Sequence, residues 1–489
     1  MLIEMGEKEL DLVSKLGEDE AKFRRRDLRM ISPDDAKYGK TSFELSSYLS
    51  ADAELRACAY VQKVLLETRV DFDGAAQGNV DEVERALKKI DPLNILLLED
   101  KVTRHDQLAV IEEIGRFVSP ETKALLHPGT TSYDILDTAR VYLLKNAWKE
   151  VIRPEISNSV SKLCEIAERS VDILQVGRTH LQNTSPVPLG LTFSIYAARI
   201  AERASEVNRS IGRLKGKVSG IVGTGAGIEM VIGEGKSLEF ERAALSKLGL
   251  EADYTATQIV QKEKLADVGH GFTTLMHVLG DFANDIRILY SSAINEVTSR
   301  DNAQRLGGSS ADAMKNNPVN YENIAGKVAV VESGMRVLYA MISSDLQRDL
   351  RGSVQARYQP QAMMVETYES FVRLNKSLGQ LSINEDIVAR NLLPVRNNPS
   401  EAMVAILRGE GWVHQRYGDG HNFVKEMGKR AKSAGRNLLE VSLEDPEFKE
   451  VYNSLPENKR EVLSGNLEKY LGSATERTRI NIDFADGSL

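Results

Sequence analysis

The sequence has few cysteines, few prolines, no excess of basic residues and no long apolar run. Only two of its 489 residues are cysteines, Cys58 and Cys164, so neither a disulfide framework nor a cysteine-based metal cluster is expected, and a reducing compartment is favoured. The net charge of −8 argues against nucleic-acid binding through a basic surface. Because there is no run of about 18 apolar residues and no signal-peptide pattern, a cytoplasmic protein without a membrane span is predicted.

Long helical periodicity is the main positive feature of the chain. Apolar residues recur at three-to-four-residue spacing over 138–169, where Pro154 predicts a kink, and similar patterns cover 189–214, 262–297 and 321–346. Helices of this length need long partners, so the chain is predicted to be all-α and elongated, with a central bundle of long helices. Their broad apolar stripes fit either a core within one chain or the association of several chains.

Three domains are predicted along the chain. They are an N-terminal helical domain over 1–125, a central long-helix bundle over 126–365 and a C-terminal helical domain over 366–489. Residues 220–233, rich in glycine and β-branched residues, carry a weak strand signal. The Gly223–Gly227 run within them lacks the strand–turn–helix context of a dinucleotide site, so a flexible loop is predicted there.

One short segment, 308–322, combines residue types that chemistry at a flexible loop would need. It contains Gly308, the hydroxyl of Ser309, the amine of Lys315 and the carboxylate of Glu322. Such a segment can bend, present a basic or nucleophilic oxygen and hold a carboxylate.

Three of the histidines lie in polar, turn-like contexts. They are His105 within 103–106, His127 at the start of 127–134 and His180 within 177–182. A histidine in such a context is either a hydrogen-bonded structural residue or a catalyst, and these patterns leave both open. Cysteine, histidine and carboxylate residues do not recur at metal-ligand spacing, so no metal is expected.

A cluster of arginines follows the last long helical pattern. Arg348, Arg351, Ser353 and Arg357 bring three guanidinium groups and a hydroxyl into ten residues. Guanidinium forks match the geometry of phosphate, so a phosphate site is one interpretation, and a salt-bridged helix end is the other.

The segments 127–134, 177–182 and 308–322 resemble, in the same order, the three motif regions of the fumarase/aspartase superfamily. Members of that family eliminate fumarate from succinyl compounds. The third segment has the family's glycine, serines, lysine, asparagine, proline and glutamate at the right offsets, but Asp312-Ala313 stands where Met-Pro is usual. The resemblance implies a homotetramer whose active sites are each built from three subunits.

Further segments resemble the branch of this superfamily that acts on succinyl purine nucleotides. They are 32–39, in which Lys37 replaces the family's arginine, 104–106 and 347–357. The resemblance implies β-elimination of fumarate from adenylosuccinate, giving AMP, and from SAICAR, giving AICAR, with no cofactor. The alternatives are lyases acting on argininosuccinate, fumarate/malate or aspartate, a carboxymuconate cycloisomerase, or a non-catalytic protein with this fold. The arginine cluster favours a substrate that carries a phosphate.

The resemblance also implies roles for individual residues. Ser309 would be the base and His180 the acid, with Glu322 orienting His180. Lys315 would activate Ser309 and, with Asn317, stabilise the developing aci-carboxylate. The residues expected to bind the substrate are Lys37, Tyr38, Arg104, His105, Asp106, His127, Thr131, Ser132, Gln182, Gln258, Asn317, Arg348, Ser353 and Arg357. The expected partner is a small molecule, without nucleic acid or membrane.

Overall fold

The computed structural model describes residues 10–300, 312 and 315–488 of the chain, and α-helix dominates them. The helices of the described residues are α1 (Glu18–Arg29), α2 (Asp35–Tyr38), α3 (Ser46–Leu49), α4 (Ala51–Phe72), α5 (Gln77–Leu87), α6 (Pro92–Leu98), α7 (Asp106–Gly115), α8 (Pro120–Ala124), α9 (Ser132–Ala147), α10 (Arg153–Arg169), α11 (Leu189–Gly212), α12 (Ala226–Ile232), α13 (Ser237–Lys247), α14 (Glu263–Tyr290), α15 (Val319–Ile342), α16 (Arg351–Gln355), α17 (Gln361–Gln380), α18 (Glu385–Asn397), α19 (Ser400–Gly409), α20 (Gly420–Ala434), α21 (Leu438–Ser442), α22 (Pro446–Ser454), α23 (Glu457–Leu463) and α24 (Ala474–Ser488). The prediction of an all-α chain is confirmed.

The strands of the described residues are short and form three antiparallel pairs. The pairs are β1 (Leu174–Thr179) with β2 (Gln182–Pro188), β3 (Val297–Ser299) with β4 (Leu381–Ile383), and β5 (Val413–His414) with β6 (Gly418–Asp419). The first pair is a hairpin with a two-residue loop, and it carries the predicted catalytic histidine, His180.

The long helices lie close to their predicted limits. The pattern over 138–169 corresponds to α9, a π-helical turn at Trp148–Ile152, and α10. Pro154 has no N–H to donate to the carbonyl four residues earlier, and the wider π turn just before it accommodates the missing bond. The other three patterns correspond to α11, α14 and α15.

The weak strand signal over 220–233 was wrong. The segment is a loop followed by the helix α12, which starts after Gly225 in the left-handed region, at φ 72°. Ile228 and Ile232, four residues apart, are both buried, so burial of one helical face outweighs the β-branched composition. The prediction of a loop was right for the first part of the segment.

The described residues cluster into two compact units, each made of three chain segments. The first unit contains the described residues up to 156, 203–277 and 326–372, and the second contains those of 157–202, 278–325 and from 373 onward. The division into 1–125, 126–365 and 366–489 runs along the sequence instead, and it stays a prediction.

The first unit contains a fully buried ion pair between Asp134 on α9 and Lys217. Two charges in a dry interior stabilise the fold only if their other hydrogen-bonding positions are filled. The Asp134 carboxylate meets this condition, because it also accepts from the backbone N–H groups of Ser219 at 2.9 Å and Gly220 at 3.1 Å. It accepts from Thr131 N–H at 2.7 Å as well. The start of α9 is therefore fixed to the 217–220 segment.

The second unit contains an aromatic cluster between α11, α14 and the first turn of α15. Phe282 contacts Phe193, Tyr196 and Tyr321 edge-on, with ring centroids 5.2 to 6.4 Å apart. Such offset contacts add to the free energy of area burial. The cluster holds the start of α15, which carries the predicted site residue Glu322.

The C-terminal helices of the second unit have their own core. Its buried members are Met403, Leu407, Phe423, Val424, Met427, Ala431, Leu438, Val441, Phe448, Leu455 and Leu463. Phe448 stacks on Phe423, with ring centroids 5.3 Å apart.

Cys58 and Cys164 are both buried and free. None of the described helices combines the length and the apolar character needed to cross a membrane.

Replacing Phe448 with alanine should lower the free energy of unfolding by about 3–5 kcal/mol, because the fully buried ring would leave a cavity. Thermal denaturation measures the effect as a lower melting temperature. The matched control is Phe484→Ala on α24, where the ring is 49% exposed and the expected change is small. Equal shifts for the two variants would contradict the assignment of Phe448 to a core.

Candidate active site

The predicted site residues around His105 lie at the start of α7. The His105 Nδ1 accepts from the backbone N–H of Leu108 at 3.4 Å, so the ring caps the helix. Its Nε2 lies 3.1 Å from the hydroxyl of Ser132, the first residue of α9. Asp106 Oδ1 lies 3.4 Å from the same ring. The structure thus brings together His105, Asp106 and Ser132, which belong to two separate sequence segments.

The preceding residue, Arg104, leaves the π-helical turn at Glu99–Thr103 in the left-handed region, with φ 53°. Its side chain is exposed and lies 3.4 Å from Asp100. A non-glycine residue in this conformation is strained and indicates a position that the surrounding structure enforces.

His127 is the third predicted site residue near the start of α9, and it also has a positive φ, 66°. The turn that follows packs tightly, because a Cβ atom at Gly129 would lie 2.5 Å from the carbonyl oxygen of Gly227. The side-chain amide of Gln62 donates to His127 Nδ1 at 2.9 Å. The neutral ring therefore carries its proton on Nε2.

Burial lowers the pKa of His127 below its ordinary value of 6.5, and the nearby carboxylate of Asp134 opposes this shift only in part. The charge of His105 adds to the lowering. His127 is therefore held as a neutral imidazole near pH 7, able to donate or accept a hydrogen bond but not to act as a cation.

Arg348 lies in a second group of predicted residues in the same unit. Its guanidinium lies over the ring of Tyr133, 3.8 Å from the centroid, and Nη1 donates to Gln258 Oε1 at 3.0 Å. Stacking on an aromatic face and one hydrogen bond orient the guanidinium and leave its other N–H groups for a ligand.

A small cavity of about 20 Å³ adjoins Arg348. It is lined by Tyr133, Asp137, Arg140, Ile259, Lys262, Met341, Ser343, Ser344, Arg348, Asp349, Gly352, Ser353 and Ala356. Within it, Lys262 is paired with Asp137 at 2.8 Å. Arg348 and Ser353, both predicted to bind phosphate, therefore line one cavity.

Arg357 interacts electrostatically with Glu99, which Asp106 and His105 also influence. Burial raises the pKa of Glu99, and Asp106 raises it further, whereas Arg357 and His105 oppose the shift. Arg357 is thus within electrostatic reach of Glu99, and the side chain of Arg357 is itself exposed.

Lys37 and Tyr38 form the end of the short helix α2 in the first unit. The Lys37 ammonium lies 5.2 Å from the centre of the Tyr38 ring. The segment is anchored by Ser32, which donates to Glu366 on α17 at 3.1 Å. Among the described residues, Lys37 makes no hydrogen bond or ion pair with the other predicted binding residues.

The same anchor includes three carboxylates close enough to hold a cation: Asp34, Glu366 and Glu369. The Lys327 ammonium lies 2.5 Å from Glu366 and Glu369 and 3.9 Å from Asp34. Since this ammonium already lies between the carboxylates, the arrangement is that of an ion-pair network.

His180 and Gln182 lie in the second unit, at the tip of the β1–β2 hairpin. His180 has φ 53° and an exposed side chain, and Gln182 is also exposed. Thr179 pairs with Gln182, so the loop consists of His180 and Leu181.

Lys315, Asn317 and Glu322 also lie in the second unit, on the segment that leads into α15. Glu322 belongs to the first turn of α15, and its side chain is exposed, as is that of Lys315. The neighbouring Asn316 donates to Tyr290 Oη at 2.6 Å. Ser309 and Ala313 lie outside the described residues, and Asp312 is exposed.

The predicted residues thus fall into two sets, one in each unit. In the first unit, contacts or electrostatic interactions group His105, Asp106 and Ser132 with Glu99 and Arg357, and a separate hydrogen bond joins Arg348 to Gln258. In the described part of the second unit, His180 and Glu322 make no hydrogen bond or ion pair with each other.

Sequence reasoning missed several residues that support these sets. Tyr133 lies inside the 127–134 motif, and its place next to Ser132 was a usable signal. Gln62 and Glu99 belong to no motif, and their roles follow only from contacts with His127 and the His105 group.

The sequence is similar to a known protein family and to curated relatives over most of its length. Residues 34–332, more than half of the chain, match the family model described as Lyase. The adenylosuccinate lyase of Pyrococcus abyssi is 28% identical over 451 residues, covering 91% of this chain and 96% of that protein.

Two solved structures have the same fold at low identity. A 3-carboxy-cis,cis-muconate lactonizing enzyme from Pseudomonas putida has a TM-score of 0.78 and 20% identity, covering 93% of this chain and 99% of its own. A fumarate lyase from Mesorhizobium sp. BNC1 has a TM-score of 0.77 and 20% identity, covering 90% of this chain and 97% of its own. Because the family model matches more than half of the chain, the chain belongs to the lyase family, within the fumarase/aspartase superfamily, and is an enzyme.

The lowered pKa of His127 predicts a loss of stability at acid pH. The unfolded chain binds the proton on His127 more readily than the folded one. The contribution of neutral His127 to the free energy of unfolding is therefore fully present above about pH 6.5 and is lost as the pH falls below it. When the pH is lowered from about 7.5 to about 5.5, the melting temperature of His127→Gln, whose side chain cannot titrate, should fall less than that of the wild type. The exposed His270 provides the control, His270→Gln, which should follow the wild type. Parallel curves for the wild type and His127→Gln would contradict the neutral assignment.

Proposed function

We propose that this chain is an adenylosuccinate lyase, which eliminates fumarate from adenylosuccinate to give AMP and from SAICAR to give AICAR in purine nucleotide biosynthesis. The observation that carries the choice of substrate is the oriented guanidinium of Arg348, beside Ser353 in one cavity. Argininosuccinate, malate, aspartate and carboxymuconate have no phosphate for such a group to bind. The adenylosuccinate lyases that the chain resembles over most of its length support the same choice.

The first unit would hold the nucleotide part of the substrate. Arg348, Ser353 and Arg357 offer guanidinium and hydroxyl donors for the phosphate. The exposed cation Lys37 would add a point charge, without the fork of the arginine found in the family. The neutral His127 and the hydroxyls of the 127–134 turn would bind the remaining polar groups through hydrogen bonds.

The reaction needs only proton transfers. Ser309 would remove a proton from the succinyl carbon next to a carboxylate, and Lys315 with Asn317 would stabilise the resulting aci-carboxylate. The electron pair of that carbon then forms the double bond of fumarate, and the carbon–nitrogen bond breaks. His180 would give its proton to the departing nitrogen, which keeps the bonding pair.

A homotetramer with shared sites would account for the lack of a hydrogen bond or ion pair between His180 and Glu322 in one chain. Both side chains are exposed in one chain, and a large apolar residue is exposed near each of them, Leu181 at 67% and Val319 at 54%. We infer that another copy of the chain covers these residues and brings a Glu322 to each His180. The carboxylate would fix the tautomer of the ring and favour its protonated form.

A panel of substrates tests the proposed function. Absorbance assays should detect turnover of adenylosuccinate and SAICAR, but not of argininosuccinate, malate, aspartate or 3-carboxy-cis,cis-muconate. Turnover of one of the latter, without adenylosuccinate, would refute the proposal.

Two arginine variants sharpen the same test. Arg348→Lys should raise KM for adenylosuccinate about tenfold or more, because lysine keeps the charge but loses the fork and the stacking. Arg351, which is paired with Asp345 and Asp349, supplies the matched control, and Arg351→Lys should leave KM nearly unchanged.

Shared sites predict that two inactive variants can restore each other. His180→Ala and Ser309→Ala should each lose turnover by orders of magnitude, yet their mixture after subunit exchange should recover part of it, because some sites would then contain neither substitution. Activity of the mixture is measured against each variant alone and against each variant taken through the same exchange step. If no activity returns although exchange is demonstrated by labelled subunits, each site must come from a single chain.

A further inference from the structure

The turn that carries His180 is strained and has little packing of its own. His180 and Leu181 have φ 53° and 58°, the conformation of a two-residue loop that asparagine and glycine prefer. Leu181 is 67% exposed, so apolar burial does not hold the tip. A strained conformation persists only when neighbouring structure enforces it.

The neighbouring structure is a buried ion pair at the base of the turn. Arg178, two residues before His180, donates from Nη2 to Glu296 Oε1 at 2.5 Å and from Nη1 to Oε2 at 3.1 Å. Nη1 also donates to the carbonyl of Val176 at 3.3 Å, and the strand register shifts between these two residues. Such a shift changes the direction in which the following side chains point.

Glu296 is itself fixed from the other side. Its side chain is fully buried, and Asn391 on α18 donates to Oε1 at 2.9 Å. The same Asn391 amide donates to the carbonyl of Ile294 at 2.8 Å, and the backbone N–H of Asn384 donates to the carbonyl of Glu296 at 2.9 Å. The carboxylate therefore has one orientation, and this orientation fixes the guanidinium of Arg178.

Glu296 also lies directly before β3, whose last residue is ten positions ahead of Ser309 in the sequence. The buried carboxylate of Glu296 is thus hydrogen-bonded to the hairpin that carries His180, the proposed acid. Glu296 also adjoins β3, which precedes Ser309, the proposed base, in the sequence.

We propose that Glu296 is a positioning residue, which through Arg178 holds the His180 imidazole in the orientation needed to protonate the leaving nitrogen. The inference rests on the proposed function, since it takes His180 as the acid. Catalytic groups must be held within about 0.5 Å of the productive geometry, and a displacement of about 1 Å costs about a hundredfold in rate.

A double-mutant cycle tests the proposal in the intact protein. Glu296→Gln keeps the size of the side chain and removes its charge, and kcat should fall about tenfold to a hundredfold with little change in KM. In the His180→Ala background the same substitution should change kcat by less than about twofold, because the group that it positions is already absent. Equal losses in both backgrounds would show a general structural defect and overturn the proposal.

The bidentate pair Arg396–Glu468 in the same unit supplies the matched control. Glu468→Gln should leave kcat and its response to His180→Ala unchanged. If Glu296→Gln fails to fold, Arg178→Lys, which keeps the charge but loses the fork, replaces it with the same expected result.

Hydrogen exchange adds a readout that does not depend on the substrate. Peptides covering 174–188 should exchange faster in Glu296→Gln than in the wild type, whereas α20 should be unaffected, and unchanged exchange in the hairpin would overturn the proposal. If the wild type does not turn over adenylosuccinate, the proposed function fails. The cycle is then measured with the panel substrate that the wild type does use, so the inference on Glu296 is still decided.

Discussion

The carboxylate of Asp134 is the constraint on which the first set of site residues depends. It is fully buried, is paired with Lys217 and accepts hydrogen bonds from backbone N–H groups of two chain segments. This arrangement fixes the first residues of α9, where Ser132 meets His105 and Tyr133 supports the guanidinium of Arg348. Removing either charge would leave the other buried and unpaired, so the positions of Ser132 and Tyr133 depend on this ion pair.

In the second set, the hairpin that carries His180 depends on another buried ion pair. The bond between Arg178 and Glu296 holds a strained hairpin, and the residue at its tip, His180, stays exposed. Binding groups can be fixed within one chain, whereas a proton donor must reach the leaving nitrogen of a bound substrate. A buried anchor combined with an exposed tip meets both needs, and it leaves the imidazole of His180 accessible to the carboxylate that the proposed assembly would bring from another copy of the chain.

The sequence predicted the long helices well, because apolar spacing over many turns is a local and repeated signal. It failed at 220–233, where composition favoured strand but burial of Ile228 and Ile232 on one face produced the helix α12. The motifs identified histidines and arginines by their local context. They could not reveal Gln62 beside His127 or Glu296 beside Arg178, since those pairs join residues far apart in the sequence and depend on packing.

The most direct test of the account is a crystal structure of the Ser309→Ala variant with adenylosuccinate bound. In that structure the phosphate should lie against Arg348 and Ser353, and the succinyl nitrogen should lie next to a His180 whose ring contacts Glu322 of a different copy of the chain. A substrate bound away from the cavity of Arg348, or a His180 that meets no carboxylate in the assembled protein, would contradict it.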